Sequence, residues 1–315
     1  MAASPDGKGG EMPERRHRYR RSEGAGFISL TPIKRELLRY LAECRILSLP
    51  QLASLAQLSE KGARRQMRQL FDAGLVDVVP VSRAALAPDG ALNDETLLHG
   101  SAPNLYVPTI AALKVLVEVG TLGRHYLKRA IPAYGPKNGL FLRHELLVRD
   151  VRVWLESLAR GGHGRTIRWE DGTDAALDLQ EEKLAKVVRP DAWFVFEITM
   201  SERPATLVGL VEVDRGTERG KSRWSEKLSG YHALFASQRL PELTGYVNAR
   251  VLVLCPDAAR RELLVSLIEE LAGSSGLTSR FWLAAMAALP EASLADPVWR
   301  VPGRAELVPL LTISS

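Results

Sequence analysis

Two cysteines in 315 residues leave no material for a disulfide framework and little for a zinc site. Cys44 and Cys255 stand in separate apolar runs, YLAECRIL and VLVLCPD, with no Cys/His cluster at ligand spacing. Both read as small buried hydrophobes kept reduced. No run approaches the ~18 apolar residues of a membrane helix, and the first 30 residues lack a signal peptide's apolar core. The expectation is a cytoplasmic, bacterial-type protein with no membrane partner. Walker and dinucleotide glycine patterns are absent, as are internal repeats. Charge of one sign is scarce too: 42 Lys+Arg against 37 Asp+Glu give only +5. That excess argues weakly for a polyanionic partner, so the placement of the cations matters more than their sum.

What remains is ordinary globular composition, 46% hydrophobic and 25% charged, in a length that suits about two domains. Residues 1–26 combine Gly, Pro, Ser and charge with the basic run RRHRYRR (Arg15 to Arg21), and predict a disordered tail. As a flexible arm it would suit phosphates or a minor groove. Residues 27–120 then give three short helices, a hairpin with a long tip, and a fourth helix. Thr31–Pro32 starts the first, Ser48 caps the second, and Ser59 precedes the third, which stops at Gly74. LVDVVPV and NLYVPT are the hairpin strands, and Thr109 opens the last helix. That order is the order of a winged helix-turn-helix.

In the third helix Ala63, Met67, Leu70 and Phe71 face inward. Lys61, Arg64, Arg65 and Arg68 form one basic stripe on the other side, as a helix reading double-stranded DNA requires. Asp72 continues the stripe one turn later and should lie beyond the DNA. The wing offers one cation, Arg83, and so contributes little. Winged-helix proteins often dimerise, and a homodimer is one expected assembly, although no segment is set aside as a dimer helix.

Residues 121–139 form a basic connector rich in Gly and Pro. From 140 to 315 the pattern changes to a long helix (140–159), strands at 165–170, 186–198 and 205–214, a helix at 222–237, a strand at 249–256 and a helix at 257–273. The order predicts a mixed sheet with helices on both sides, and the whole chain an α+β protein. The last 40 residues offer only the pair Phe281–Trp282 and a strand near Trp299. HELLV, at 144–148, is not a zinc-protease motif, because its fifth residue is Val148. His144 therefore reads as a packed or capping histidine.

Three carboxylates stand out in RPDAWFVFEI and ATLVGLVEVD: Asp191, Glu212 and Asp214. Strand alternation puts Glu212 and Asp214 on one face, ~7 Å apart at ~3.3 Å per residue, and a hairpin brings Asp191 alongside. Three oxygen ligands suit Mg²⁺ or Mn²⁺, whose bound water attacks a phosphodiester. Arg215 and Thr217 follow directly; Arg215 suits a phosphate, and a strand-ending turn explains the pair equally well.

The helix–three strands–helix–strand order, with Pro190–Asp191 and the Glu212 strand, resembles the restriction-endonuclease-like core with its PD-(D/E)xK signature. The resemblance implies Asp191 and Glu212 as the two acids, while Asp214 occupies the lysine's place. That departure leaves Lys227, on the border of the following helix's buried stripe, as the stand-in lysine, with Lys221 second and Glu145 as a candidate fourth acid. RRQMRQLFDAGLV, RHELLVRDV, RPDAWF and EVDRGTE followed by KLSGYHALF together resemble the replication-relaxation family over residues 30–260. That resemblance implies a plasmid or mobile-element protein with replication or conjugation proteins as partners. Three readings stay open: a Mg²⁺-dependent DNA-nicking enzyme, a binder on a nuclease-like scaffold that has lost catalysis, and a transcription regulator.

Overall fold

The computed structural model describes residues 19–22, 28–87, 102–129, 139–179, 187–199, 205–216, 221–237, 239–273 and 276–311. The hairpin tip, most of the N-terminal tail, residues 130–138 of the connector and Thr217 lie outside those residues.

The N-terminal part is built from α1 (Pro32–Cys44), β1 (Leu47–Ser48), α2 (Leu49–Leu55), α3 (Glu60–Asp72), β2 (Val76–Val79), β3 (Leu105–Pro108) and α4 (Ile110–Glu118). Local signals set the helix starts. Pro32 occupies the first turn of α1, and Ser48 and Gln51 form a reciprocal capping box on α2. Ser59 accepts from the Gly62 N–H at 3.1 Å, and the Thr109 hydroxyl donates to the Gly74 carbonyl at 2.8 Å. The three strands form an antiparallel sheet in the order β1-β3-β2. Leu37, Leu41, Leu52, Met67, Leu70 and Leu113 fill the space between helices and sheet.

The rest is a larger α/β unit. The helix α5 (Gly139–Arg160) leads into β4 (Gly164–Asp171), the short pair β5 (Leu177–Asp178) and β6 (Val187–Val188), then β7 (Ala192–Ile198) and β8 (Ala205–Val213). Next come α6 (Lys221–Ala236), α7 (Leu240–Thr244), β9 (Arg250–Cys255) and α8 (Ala258–Ala272). The chain closes with β10 (Phe281–Ala285), β11 (Trp299–Arg300) and β12 (Leu307–Val308). Seven strands pair in the order β12-β11-β10-β9-β8-β7-β4, with β8, β9 and β10 parallel and the others antiparallel. The protein is thus α+β, with a large mixed sheet.

Period-two alternation divides the sheet's faces between two helix layers. Trp193, Val195, Val208 and Leu210 pack with Trp224, Leu228 and Tyr231 of α6 and Leu264 and Ile268 of α8. Phe194, Phe196, Leu207 and Val211 pack with Val148, Val151, Trp154 and Leu155 of α5. Burial on both faces explains why the central strands read as continuous apolar runs. The last strands, faint in the sequence, extend this sheet and place Trp299 against Trp154. Both cysteines are free and buried, as expected. Among the described residues no helix is long and apolar enough to cross a membrane.

Gly209, in mid-strand, faces Phe194 across the β7–β8 pair, and a Cβ there would stand 2.4 Å from two carbons of the ring. Gly209→Ala should destabilise by about 1–3 kcal/mol through overpacking, measured by urea unfolding. An unchanged midpoint would mean that the ring shifts freely.

The two parts meet on α5, which packs against both. Leu142 and Leu146 join Ile46, Val79, Leu105 and Val107 in one apolar cluster. Gln51 Nε2 donates to the Leu146 carbonyl at 2.8 Å and to Asp150 at 2.7 Å. Arg149, fully buried, donates to the Cys44 carbonyl at 2.8 Å and to Glu145 at 2.7 Å, and pairs with buried Asp171 at 3.2 Å. Arg45, at positive φ behind α1, joins the same cluster by pairing with Asp174 at 2.9 Å.

Candidate functional site

Two surfaces carry the residues singled out by the sequence. On α3, Lys61, Arg64 and Arg65 are exposed, opposite the buried Ala63, Met67, Leu70 and Phe71. Arg64 approaches Glu60 at 3.8 Å, an exposed pair of little energetic weight. Arg68 is held differently: it pairs with Asp72 at 2.8 Å and donates to the Arg20 carbonyl at 2.9 Å. The described piece of the tail docks at this end of the helix. Arg21 donates to the Phe71 carbonyl at 2.8 Å and pairs with Asp77, and the Ser22 N–H donates to Asp72 at 2.9 Å. Burial works to raise the Asp72 pKa, but the Ser22 N–H and Arg68 outweigh it and lower it. The outward cations of α3 are therefore concentrated in its N-terminal half.

The second surface lies where β7 begins and β8 ends. Ala192 pairs with Val211, so one further step places Asp191 opposite Glu212, where side chains share a face. The Asp191 carboxylate is fixed by two donors. Its Oδ2 accepts from the Val213 N–H at 2.8 Å, and His144 Nε2 of α5 stands 3.0 Å from Oδ1. Glu212 is 2% exposed; Lys227 Nζ and the Tyr231 hydroxyl each donate to it at 2.7 Å. Lys227 and Tyr231 are one turn apart on α6, so both reach the same carboxylate. An open cleft of about 850 Å³ adjoins Glu212, with Arg189, Arg223, Lys227 and Tyr231 among its walls.

The electrostatics tie these groups into one unit. Burial works to raise the Asp191 pKa, but His144 and Lys227 outweigh it and the carboxyl is lowered. Burial dominates at Glu212 and, with the charge of Asp191, raises its pKa despite Lys227. Burial also opposes a charged His144, yet Asp191 raises its pKa, while Arg215 opposes. Burial and the neighbouring acid lift the Tyr231 hydroxyl well above its usual value, so it stays a neutral donor.

Asp191, Glu212 and Lys227 are thus brought together. Asp214 is not with them: β8 ends at Val213, and Arg260 of α8 grips Asp214 with two nitrogens at 2.7 and 3.1 Å. Arg215, half-buried beside this corner, is close enough for its charge to act on His144. Lys221 pairs with Glu270 instead of the acids, and Glu145 with Arg149. His144, Tyr231 and Arg260 were not assigned to the site by the sequence. Tyr231 had a usable signal, standing four residues after Lys227, whereas no spacing links His144 to Asp191.

Among the described residues, no group of three or more His, Cys, Asp and Glu side chains is gathered closely enough to hold a metal ion. The donor chemistry that is present, two carboxylates opposite one another on adjacent strands, still fits Mg²⁺ or Mn²⁺. Such ions need only one or two carboxylates beside waters and substrate phosphates.

Fold and site define an α+β protein in which a small helical part with a basic helix is joined through one long helix to a sheet with a carboxylate–lysine cleft. The chain belongs to the replication-relaxation family, whose family model matches residues 38–248. Membership ties it to the replication and relaxation of a plasmid or mobile element, with DNA and replication proteins as its setting. Neither a curated protein nor a solved structure matches the chain.

Proposed function

We propose that the protein binds double-stranded DNA through α3, in winged-helix fashion, and nicks one strand at the Asp191–Glu212–Lys227 cluster beside the cleft. The observation that carries the proposal is the meeting of these three side chains from the residue before β7, from β8 and from α6, although Lys227 is outside the signature spacing. Asp191 and Glu212 would hold Mg²⁺ or Mn²⁺, which supplies Lewis-acid polarisation of the phosphate and a water of lowered pKa. Lys227 brings a positive charge to the acids, where it orients the attacking water and balances charge growing on the phosphate. Tyr231 and the Val213 N–H keep the two carboxylates from turning. Arg189 and Arg223 on the cleft wall suit flanking phosphates, and Arg215, whose charge acts on His144, suits another. In this assignment Asp214 anchors the end of β8 to α8 through Arg260 and holds no cation.

Supercoiled plasmid incubated with the protein in Mg²⁺, Mn²⁺ or EDTA tests the reaction. Metal-dependent conversion to nicked circles is expected; intact plasmid in every lane, with a target-bearing plasmid included, would sink it. A second reading, a replication or transcription regulator on a retired nuclease scaffold, draws on the partners the acids already have: Lys227 donates to Glu212 at 2.7 Å and His144 Nε2 stands 3.0 Å from Asp191. That reading expects duplex binding and no metal-dependent cutting.

Duplex affinity should fall steeply with salt. Replacing Lys61, Arg64 and Arg65 together by alanine should flatten the log–log salt slope by about 3. A slope unchanged in mobility-shift titrations would remove α3 from the interface.

A further inference from the structure

Asp191 sits at the boundary between the two helix layers, and this decides what can hold it. Lys227 and Tyr231 approach the acids from α6, on the side of the sheet packed with Trp193 and Leu210. His144 belongs to α5, whose apolar residues pack on the opposite face against Phe194 and Val211. It stands one turn before Val148, where the helix passes the start of β7, and from there Nε2 comes within 3.0 Å of Asp191 Oδ1. The second carboxylate oxygen takes the Val213 N–H at 2.8 Å. A carboxylate gripped by one N–H on each oxygen cannot rotate about its terminal torsion, yet each oxygen keeps a lone pair for another partner.

We propose that His144 is a positioning residue: it fixes the plane of the Asp191 carboxylate so that Asp191 meets a divalent cation in one orientation. The proposal rests on the reading of Asp191 and Glu212 as the cation-holding pair. A ligand carboxylate held by an outer hydrogen bond is preorganised, and losing such a bond typically weakens metal affinity or activity about 10–100-fold. A packing or capping histidine has no such effect. The distinction turns on one atom, since a glutamine side chain can place its own Nε2 where the imidazole Nε2 stands, while alanine cannot.

The test compares the wild-type chain with His144→Gln, His144→Ala and Asp191→Asn by Mn²⁺ calorimetry without DNA, alongside plasmid nicking and duplex mobility shifts. His144→Ala should weaken Mn²⁺ binding about 10–100-fold and lower kcat for nicking with KM for DNA unchanged. His144→Gln should stay within about threefold of wild type, and duplex binding should be the same in all four proteins. The proposal is overturned if His144→Ala binds Mn²⁺ as wild type does, or if His144→Gln is as impaired as His144→Ala. It falls with the two-carboxylate reading if the wild type itself binds no Mn²⁺, a result distinct from both because no substitution is involved.

Discussion

Arg149→Met should destabilise the protein by about 3–5 kcal/mol, visible as a lower urea midpoint with an unchanged slope. The side chain is fully buried, and its removal would strip partners from three groups at once: the Cys44 carbonyl, Glu145 and Asp171. Asp171 matters most, because it is fully buried and Arg45, 3.7 Å away, would be the one cation left paired with it among the described residues. The cost therefore comes mainly from the acid left behind, so removing that acid too should return part of the stability. Arg149→Met combined with Asp171→Leu should be more stable than Arg149→Met alone. It should still fall short of wild type, since the Trp169 indole N–H, which donates to Asp171 at 2.7 Å, would lose its partner. Equal stability of the single and double variants would show that the buried pair is not the source of the loss.

Asp191→Ala and Glu212→Ala should each lower metal-dependent nicking at least a hundredfold, about 2.7 kcal/mol of transition-state stabilisation, while duplex affinity stays at the wild-type level. The two variants should differ in stability. Removing Glu212 takes away an acid whose burial raises its pKa, but it leaves the Lys227 ammonium and the Tyr231 hydroxyl facing an emptied corner. Removing Asp191 frees the Val213 N–H and His144 nearer to solvent, a milder change. Asp214→Asn is the contrasting control. It should leave nicking intact and cost stability only, because its partner is Arg260. If Asp214→Asn abolished nicking while the fold held, the two-carboxylate assignment would give way to the triad read from the sequence.

The α+β class and the order of the main elements were legible because their signals are local. Thr31–Pro32, Ser48, Ser59, Thr109 and Asp257 all start helices in the structure. The strands after α8 were faint because their pairing depends on distant partners: Phe281 to Ala285 run beside Val251 to Cys255, and Trp299 packs on Trp154. At the site, alternation along β8 and one hairpin sufficed to bring Asp191 to Glu212, and the edge of α6's apolar stripe pointed to Lys227. The same alternation carried one residue too far for Asp214, because the strand stops at Val213 and the chain turns toward α8. His144 was illegible for a plainer reason. Its neighbours in sequence suggest a helix and nothing more, and its partner is reached only when α5 is laid across the sheet.

The long helix α5 carries a consequence for how this protein tolerates exchange of parts. One of its turns reaches Asp191 through His144, and the next serves the basic-helix part through Leu146, Arg149 and Asp150. A chimera that kept α5 but took its first 120 residues from another family member would meet a carbonyl, an amide and an apolar cluster shaped for someone else. Transplants should succeed only where Cys44, Gln51 and Ile46 travel with Leu142 to Arg149, which makes the helix a point of shared inheritance for the two parts it joins.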